Sequence, residues 1–460
     1  MVVPLSELYI ENFRAVRQTT VQLDPRITVL FGSNAAGKTT ILDALAIGLG
    51  ALTARLPRPS QKKRAFASRG DLRFGAGQVK LFGGSRPSPT IEAPFARIAL
   101  VSCDGLHWDV TEFRSPLDKA SVPAGRGTKA LDAWMAPRVV EALDAPPDRP
   151  TSPIPLVAAY GNQRAVIDVP LRDRDFNQEF GRLDAFDGSL KATTRFKTVF
   201  EWLRVMEDQE RREREKRHDF DYRLPELEWI RRAIALAELR CHDPRVETRP
   251  LRMLVDFEHE DGRIQPLDIS ALSDGYRTHF ALVVDLARRM VQLNPSEDLD
   301  DPQRGTRSPA VVLIDEVDLH LDPRWQGRVV QGLLSAFPNT QFVVTTHSEQ
   351  VLGSVEAHQV RHLRWSEDAI VVEEVRFAQG ATGERILIEL MDAPERVPGR
   401  YTTMLRRYLA LVDDDLGRSE AALELRRDLE QALGNDPALH RADLEMQRRE
   451  LVAQLHAERG

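Results

Sequence analysis

The stretch Gly32-Ser33-Asn34-Ala35-Ala36-Gly37-Lys38-Thr39 constrains this chain more than anything else in it. It is a full G-x4-G-K-[ST] string set between the apolar run Ile27 to Phe31 and a segment carrying Ile41, Leu42, Leu45 and Leu49 at helical spacing. That order of strand, loop and helix is what a phosphate-binding loop requires. Small residues let successive backbone N–H groups wrap a phosphate, and the helix that follows adds its positive end. On this reading Gly32, Ser33, Asn34, Ala35, Ala36, Gly37, Lys38, Thr39 and Thr40 contact a nucleotide. Lys38 supplies a point charge to the β- and γ-phosphates, and the Thr39 hydroxyl ligates Mg²⁺. A glycine turn that merely opens a helix is the plainer alternative.

A second apolar strand, Ala310 to Ile314, runs into Asp315-Glu316. Alone, that pattern is common in α/β proteins. Together with the loop, it predicts that Asp315 holds Mg²⁺, directly or through water, and that Glu316 orients and polarises the attacking water. Another buried strand, Gln341 to Thr345, ends in Thr346-His347-Ser348, which makes His347 a second candidate catalytic residue at the γ-phosphate. The cofactors expected are ATP and Mg²⁺.

One hydrophobic core seldom serves 460 residues and 52.0 kDa, so a large α/β core with insertions and an appended domain is expected. Hydrophobic residues at 42% and charged residues at 29% fit a packed chain and exclude wholesale disorder. A net charge of −7 gives no general attraction to nucleic acid, which would need a local basic patch; nucleic acid stays open as a partner. Cys103 and Cys241 lie in separate segments without ligand spacing, which supports neither a disulfide scaffold nor a zinc site. No run approaches the roughly 18 apolar residues of a membrane span, and the first residues lack a secretory pattern. A cytoplasmic protein with no membrane partner is expected.

Patterning divides the chain into four segments. Residues 1–165 hold the first part of an ATPase lobe, with strands at Leu5 to Ile10 and Val21 to Leu23, alternation over 91–113 and the apolar stretch Leu156 to Tyr160. Within it, Pro57 to Pro89 is rich in Gly, Pro, Ser and basic residues and reads as a surface loop or excursion. Residues 166–247 form an inserted helical arm. Its block from Glu207 to Arg223 has almost no apolar residue and is expected to project into solvent. Residues 248–378 return to strands with MLVDFE at 253–258 and complete the lobe. Residues 379–460 form a helical tail with helices Tyr401 to Val412 and Arg418 to Leu433, a stop at Gly434-Asn435-Asp436-Pro437, and a last helix. Leu405, Tyr408, Leu409 and Val412 mark an apolar face on the first of these helices, and Leu423 and Leu433 mark the second.

Leu272-Ser273-Asp274-Gly275-Tyr276-Arg277 precedes the helical run His279 to Met290, and a serine in that position is ordinarily an N-cap. The segment also stands ahead of the acidic strand, where ABC-type ATPases place their LSGGQ signature. With ELYIENFRAV, VLFGSNAAGKTTILDALAIGL, LVAAYGNQRA, ALSDGYRTHFALVVDLARRM, VVLIDEVDLHLDPRWQ and TQFVVTTHSEQVLGSV, the chain resembles the RecF/SMC-related ABC-type ATPases over about residues 5 to 355. Within these it is similar to the "predicted ATP-binding protein involved in virulence" group, close to the ATPase subunits of Septu and retron-associated anti-phage defence systems.

The resemblance implies an α/β fold: an ABC-type P-loop NTPase core with an inserted charged helical arm and a C-terminal all-helical domain. It implies that Ser273 and Gly275 meet the γ-phosphate of ATP held by an opposite subunit, giving a homodimer through an ATP sandwich. Asp274 replaces a glycine of the signature, and Tyr276 stands near the usual glycine or glutamine. Gln163 becomes a candidate sensor of Mg²⁺ and nucleotide, with Asn162 and Arg164 as competitors. Asn12 and Arg14 match an element beside the nucleotide. Asp322, in His320-Leu321-Asp322-Pro323, matches the loop that crosses the dimer interface, while Asp318 keeps a structural reading.

The function expected from all of this is a regulatory ATPase in anti-phage defence. Two heads close on ATP and open on hydrolysis, and a separate effector such as an HNH nuclease docks on the helical tail. The alternative is a RecF-like DNA-binding recombination or repair ATPase whose closed heads hold duplex DNA. A transporter motor fits poorly with the charged arm and tail, and a scaffold without turnover fits poorly with an intact Glu316. Asp413-Asp414-Asp415 does not indicate a Toprim nuclease, because the tail lacks alternating strands.

Overall fold

Alternating burial sets the first hairpin, in which β1 (Leu5–Phe13) pairs antiparallel with β2 (Val16–Gln22) and turns Leu8, Ile10 and Val21 inward. The mostly apolar β3 (Ile27–Gly32) is buried along Ile27 to Phe31, as a strand covered on both faces is, and leads into α1 (Lys38–Thr53). The computed structural model describes residues 4–56, 71–81, 84–115, 118, 119, 122, 124–144, 152–162, 180–191, 196–248, 250–366 and 369–457.

Of the excursion expected over 57–89, residues 57–70, 82 and 83 lie outside the described ones. The rest folds as an antiparallel pair, β4 (Phe74–Leu81) and β5 (Gly84–Glu92), because strand pairing satisfies backbone groups whatever the side-chain composition. β6 (Phe95–Ser102) and β7 (His107–Phe113) then join the first hairpin in the order β2-β1-β6-β7. α2 (Lys129–Asp144) and β8 (Leu156–Tyr160) follow.

The inserted helices are α3 (Phe196–Arg217) and α4 (Pro225–Leu236). They do not stand free: Phe200, Trp202, Trp229 and Ile230 are buried, α4 packs on α5 (Asp274–Leu293) and α6 (Pro323–Ala336), and α3 packs on β9 (Cys241–Thr248). Two acids of the block expected in solvent are also buried. Glu207 accepts from the Val246 N–H at 3.0 Å. Glu210 accepts from the Leu224 N–H at 2.8 Å and pairs with Arg214 and Arg231. Their work is backbone capping, which a count of apolar residues does not register. The return to strands comes at Cys241, ahead of the expected 248, and β9 joins β10 (Leu251–Glu258) and β11 (Ile264–Asp268) in a small antiparallel sheet.

The remaining elements of the lobe are β12 (Ala310–Ile314), β13 (Thr340–Thr345), α7 (Glu349–Gly353), β14 (Val360–Ser366) and β15 (Ala369–Glu374), then the single turn α8 (Gly383–Arg385). They complete a six-stranded sheet of order β15-β14-β3-β13-β12-β8, parallel except for β15 at its edge.

The chain divides into two compact units, Met1–Ile386 and Leu387–Gly460, so the helical unit begins somewhat after the expected 379. In it, α9 (Arg400–Asp413), α10 (Glu420–Leu433) and α11 (Pro437–Ala457) enclose a core that includes Leu405, Tyr408, Val412, Leu429 and Leu439. Leu423 does not belong to that core and is 51% exposed. The inward stripe of α10 is Ala422, Leu425, Leu429 and Leu433, at i, i+3, i+7 and i+11, which leaves Leu423 one position off it. Asp413 and Asp415 are answered by Arg449, the latter at 2.8 Å. Among the described residues, no helix is long and apolar enough to cross a membrane.

Candidate functional site

Parallel strands deliver their carboxyl ends to one edge of a sheet, and crevices at that edge are where open α/β sheets bind ligands. Here Leu30 of β3 lies beside Thr345, Val344 beside Ile314, and Ile314 beside Tyr160. The register brings the Gly32–Thr39 loop, Asp315-Glu316, Thr346-His347 and Gly161-Asn162 to the same edge. Gln163 and Arg164 lie outside the described residues, while Asn162 is exposed just past β8.

The loop turns through positive φ at Gly32 (153°), Ala35 (65°) and Gly37 (94°). Glycine at 37 is required twice over, since a Cβ there would also stand 2.2 Å from Ile370 Cδ1. Ser33, Asn34 and Ala35 are exposed, Ala36 is buried and Thr40 is half-buried. Lys38 Nζ donates to the carbonyls of Gly32 and Ser33 at 2.9 and 3.0 Å. Burial lowers the pKa of the Lys38 ammonium from its ordinary value, and Asp315 and Glu316 work in the opposite direction.

The acidic pair is fixed by its neighbours. Thr39 Oγ1 donates to one carboxylate oxygen of Asp315 at 3.1 Å, and Thr345 Oγ1 donates to the other at 2.6 Å. The Thr345 hydroxyl also accepts from the Glu316 N–H at 2.7 Å. Glu316 has φ 51°, a left-handed conformation that costs a non-glycine residue on the order of 1 kcal/mol and needs such anchoring. Thr346 Oγ1 donates to Asp318 at 2.6 Å, which gives Asp318 a supporting place behind the edge. Partial burial, then the Lys38 charge, lower the pKa of the His347 imidazole, opposed by Asp318, Glu316 and Asp315. Lys38, Thr39, Asp315, Glu316 and His347 therefore form one electrostatic cluster.

Ser273, Gly275 and Asp322 gather elsewhere. They line a hollow with Tyr276, His320 and Trp325, whereas Thr39 and Asp315 line a different one with Asp43 and Tyr160. A Cβ on Gly275 would lie 2.2 Å from the His320 carbonyl oxygen, so α5 begins hard against the loop that carries Asp322. Ser273 occupies the N-cap position of α5 yet makes no side-chain capping bond, and it is exposed. Asp274 is ion-paired with Arg277. Asp322 caps α6, accepting from the Arg324 N–H at 2.9 Å. Asn12, next to last in β1, and Arg14, in the turn that follows, both have positive φ. Arg14 is held by Asp43 of α1 at 2.7 Å and by Asp71 at 2.9 Å, which sets it behind the hollow that Asp43 lines.

Sequence reasoning missed three supports. In the sequence Thr345 is only the end of a strand, although a threonine between an acidic pair's neighbour strand and a histidine is a usable signal. A buried network joins Tyr160 to α5: its hydroxyl donates to Asp285 at 3.0 Å, and Arg288 and Arg289 pair with Asp285 at 2.8 Å each. Burial opposes ionisation of Asp285, yet Arg289 and Arg288 hold its pKa at about 2. The pattern Asp-x-x-Arg-Arg inside an apolar helix was its only trace. The third support is Trp365, which donates its indole N–H to the Ala35 carbonyl at 2.9 Å.

The donor set fits ATP and Mg²⁺. Thr39 and Asp315 bring a hydroxyl and a carboxylate together, the hard oxygen ligands that Mg²⁺ takes alongside phosphate oxygens. Among the described residues, no group of three His, Cys, Asp or Glu could cage a metal by itself.

The family described as "AAA domain, putative AbiEii toxin, Type IV TA system" matches residues 99–353, and one described as "AAA domain" matches residues 7–105. The chain is 27% identical over 503 residues to the "Retron Ec83 probable ATPase" of Escherichia coli, a match covering 97% of this chain and 87% of that protein. It is 37% identical over 149 residues to the "Retron Vc95 probable ATPase" of Vibrio cholerae, covering 32% of this chain and 28% of that one. It is 36% identical over 118 residues to the "Septu protein PtuA" of Bacillus mycoides, covering 25% and 15% respectively.

Proposed function

The chain belongs to the AAA-domain family that matches its residues 99–353 and is an ATPase, and from that premise we propose how its residues divide the work. Gly32 to Thr40 cradle the ATP phosphates, Thr39 and Asp315 hold Mg²⁺, Glu316 orients and polarises water, and His347 serves the γ-phosphate. The metal, when bound, neutralises charge on the β- and γ-phosphate oxygens. Lys38 exchanges its two loop carbonyls for phosphate oxygens, and Thr345 keeps Asp315 and Glu316 still, so little reorganisation is needed at the moment of reaction. The observation that carries this reading is the Thr39–Asp315 contact at 3.1 Å beside the buried Lys38.

Two copies then close head to tail on ATP. Ser273, Gly275 and Asp322 line a hollow that shares no lining residue with the one at Thr39 and Asp315, which supports a phosphate brought to them by a second chain. The exposed Ser273 at the N-terminus of a 20-residue helix is suited to an anion. Gln163 senses Mg²⁺ and nucleotide, and Asn12 at the end of β1 and Arg14 in the turn after it support the nucleotide. Closure and opening control a separate effector, a nuclease such as an HNH enzyme, docked on the helical unit. Similarity to retron and Septu proteins supports the setting of anti-phage defence.

Two variants test the reading together. Lys38→Ala should lose ATP binding, whereas Glu316→Gln should bind ATP, stop turnover and accumulate as an ATP-bound dimer in light scattering. Wild-type turnover by Glu316→Gln would remove that residue from catalysis, and a monomeric Glu316→Gln protein at saturating ATP would remove the dimer.

A further inference from the structure

Strand β14 runs parallel to β3, pairing Leu363 with Gly32, and then continues past the point where β3 gives way to the phosphate loop. Its last residues lie alongside that loop, and the turn back through β15 sets Ile370 directly across from Trp365. This edge hairpin meets the loop at three successive points. The Leu363 carbonyl oxygen lies where a Cβ on Gly32 would stand, at 2.3 Å. The Trp365 indole N–H donates to the Ala35 carbonyl at 2.9 Å. Ile370, 1% exposed, fills the space over Gly37.

The contact at Ala35 matters most, because it acts on a single peptide plane. The carbonyl of the Ala35–Ala36 peptide is held by Trp365, and the N–H of the same peptide donates to the Ser33 carbonyl at 3.1 Å. Ala35 itself is in the left-handed region at φ 65°, where an alanine is unfavourable and the chain would otherwise relax. Two hydrogen bonds on one peptide plane oppose its flipping, at a net worth of about 1 kcal/mol each. The indole does this from the surface, since Trp365 is 48% exposed. Its ring is therefore not a core element on which folding depends.

We propose that Trp365 is a positioning residue of the ATPase: with Ile370 across the hairpin, it holds the phosphate loop in its binding conformation through the Ala35 carbonyl. The inference rests on reading Gly32 to Thr39 as the phosphate loop. The Lys38→Ala variant tests that reading separately, so the two can fail apart.

The experiment compares steady-state ATP hydrolysis by the full chain, Trp365→Phe and Ile370→Ala, with melting temperatures measured without nucleotide. Trp365→Phe keeps an aromatic side chain but loses the five-membered half of the indole, and with it the N–H donor. It should raise the KM for ATP about 3- to 10-fold, with kcat within about twofold, tenfold being about 1.4 kcal/mol, and with an unchanged nucleotide-free melting temperature. Ile370→Ala should move KM in the same direction and decides the matter if Trp365→Phe fails to fold. An unchanged KM in the folded Trp365→Phe chain, or a lower kcat at constant KM, would overturn the proposal.

Discussion

The Thr39 hydroxyl reaches the Asp315 carboxylate at 3.1 Å although 276 positions separate them in the chain. The contact exists because β3 and β12 flank β13 in register and end at the same level. Thr345, at the end of that middle strand, holds the second oxygen of Asp315 and the backbone of Glu316 at once.

Thr345→Val retains the shape and β-branching of threonine while removing both bonds. It should lower kcat about 10- to 100-fold, the scale of a small misplacement of catalytic groups, with ATP still bound. Equilibrium nucleotide binding beside single-turnover hydrolysis would check this, and wild-type turnover would show that the hydroxyl does not position the acids.

Ser273→Arg places a long cationic side chain at the start of α5 without touching Lys38, Thr39 or Asp315. Single-chain ATP binding should persist, while ATP-induced dimerisation disappears and turnover falls by about 100-fold or more. Analytical ultracentrifugation with and without ATP reads the first effect, and undiminished hydrolysis would mean that each chain holds a complete site.

Burial raises the pKa of Glu207 from the ordinary 4.5 to about 7. Between those values the folded chain binds more protons than the unfolded one, so this group's contribution makes stability fall as pH rises through the window and level off above it. Glu207→Gln, whose amide oxygen can still accept from the Val246 N–H, should flatten that slope. At pH 8 it should exceed the wild type by about 1–3 kcal/mol. Urea midpoints of the two proteins at pH 5 and pH 8 make the comparison.

A chain ending at Ile386 should bind and hydrolyse ATP but fail to co-purify with the effector. The helical unit from Leu387 has its own core, and Lys38, Thr39, Asp315, Glu316 and His347 all lie in the first unit. Effector retained by the folded, truncated chain would move the docking surface to α3 and α4.

Apolar clustering made the sheet edge legible: Ala310 to Ile314 is wholly apolar, Ile27 to Phe31 and Gln341 to Thr345 are mostly so, and each predicted a buried strand with chemistry at its end. The same pattern could not show where α3 and α4 pack, because Glu207 and Glu210 look like solvated acids until Val246 and Leu224 present their N–H groups. Trp365 was illegible for a different reason. Its partner is a backbone carbonyl, and a carbonyl has no residue type to recognise. Leu423 misled by proximity, since one step along a helix turns a side chain by about 100°.

β8 stops at Tyr160, and its sheet neighbour β12 starts at Ala310, paired with Leu156 as though the intervening chain were absent. Closing a longer loop costs only about 0.6 kcal/mol for each doubling of its length. The part of this interval that holds α3 and α4, from Phe196 to Leu236, is therefore where added chain should cost little while the hydrolytic edge stays as it is. Insertions there should be inherited far more readily than a single added methyl at Gly37 or Gly275.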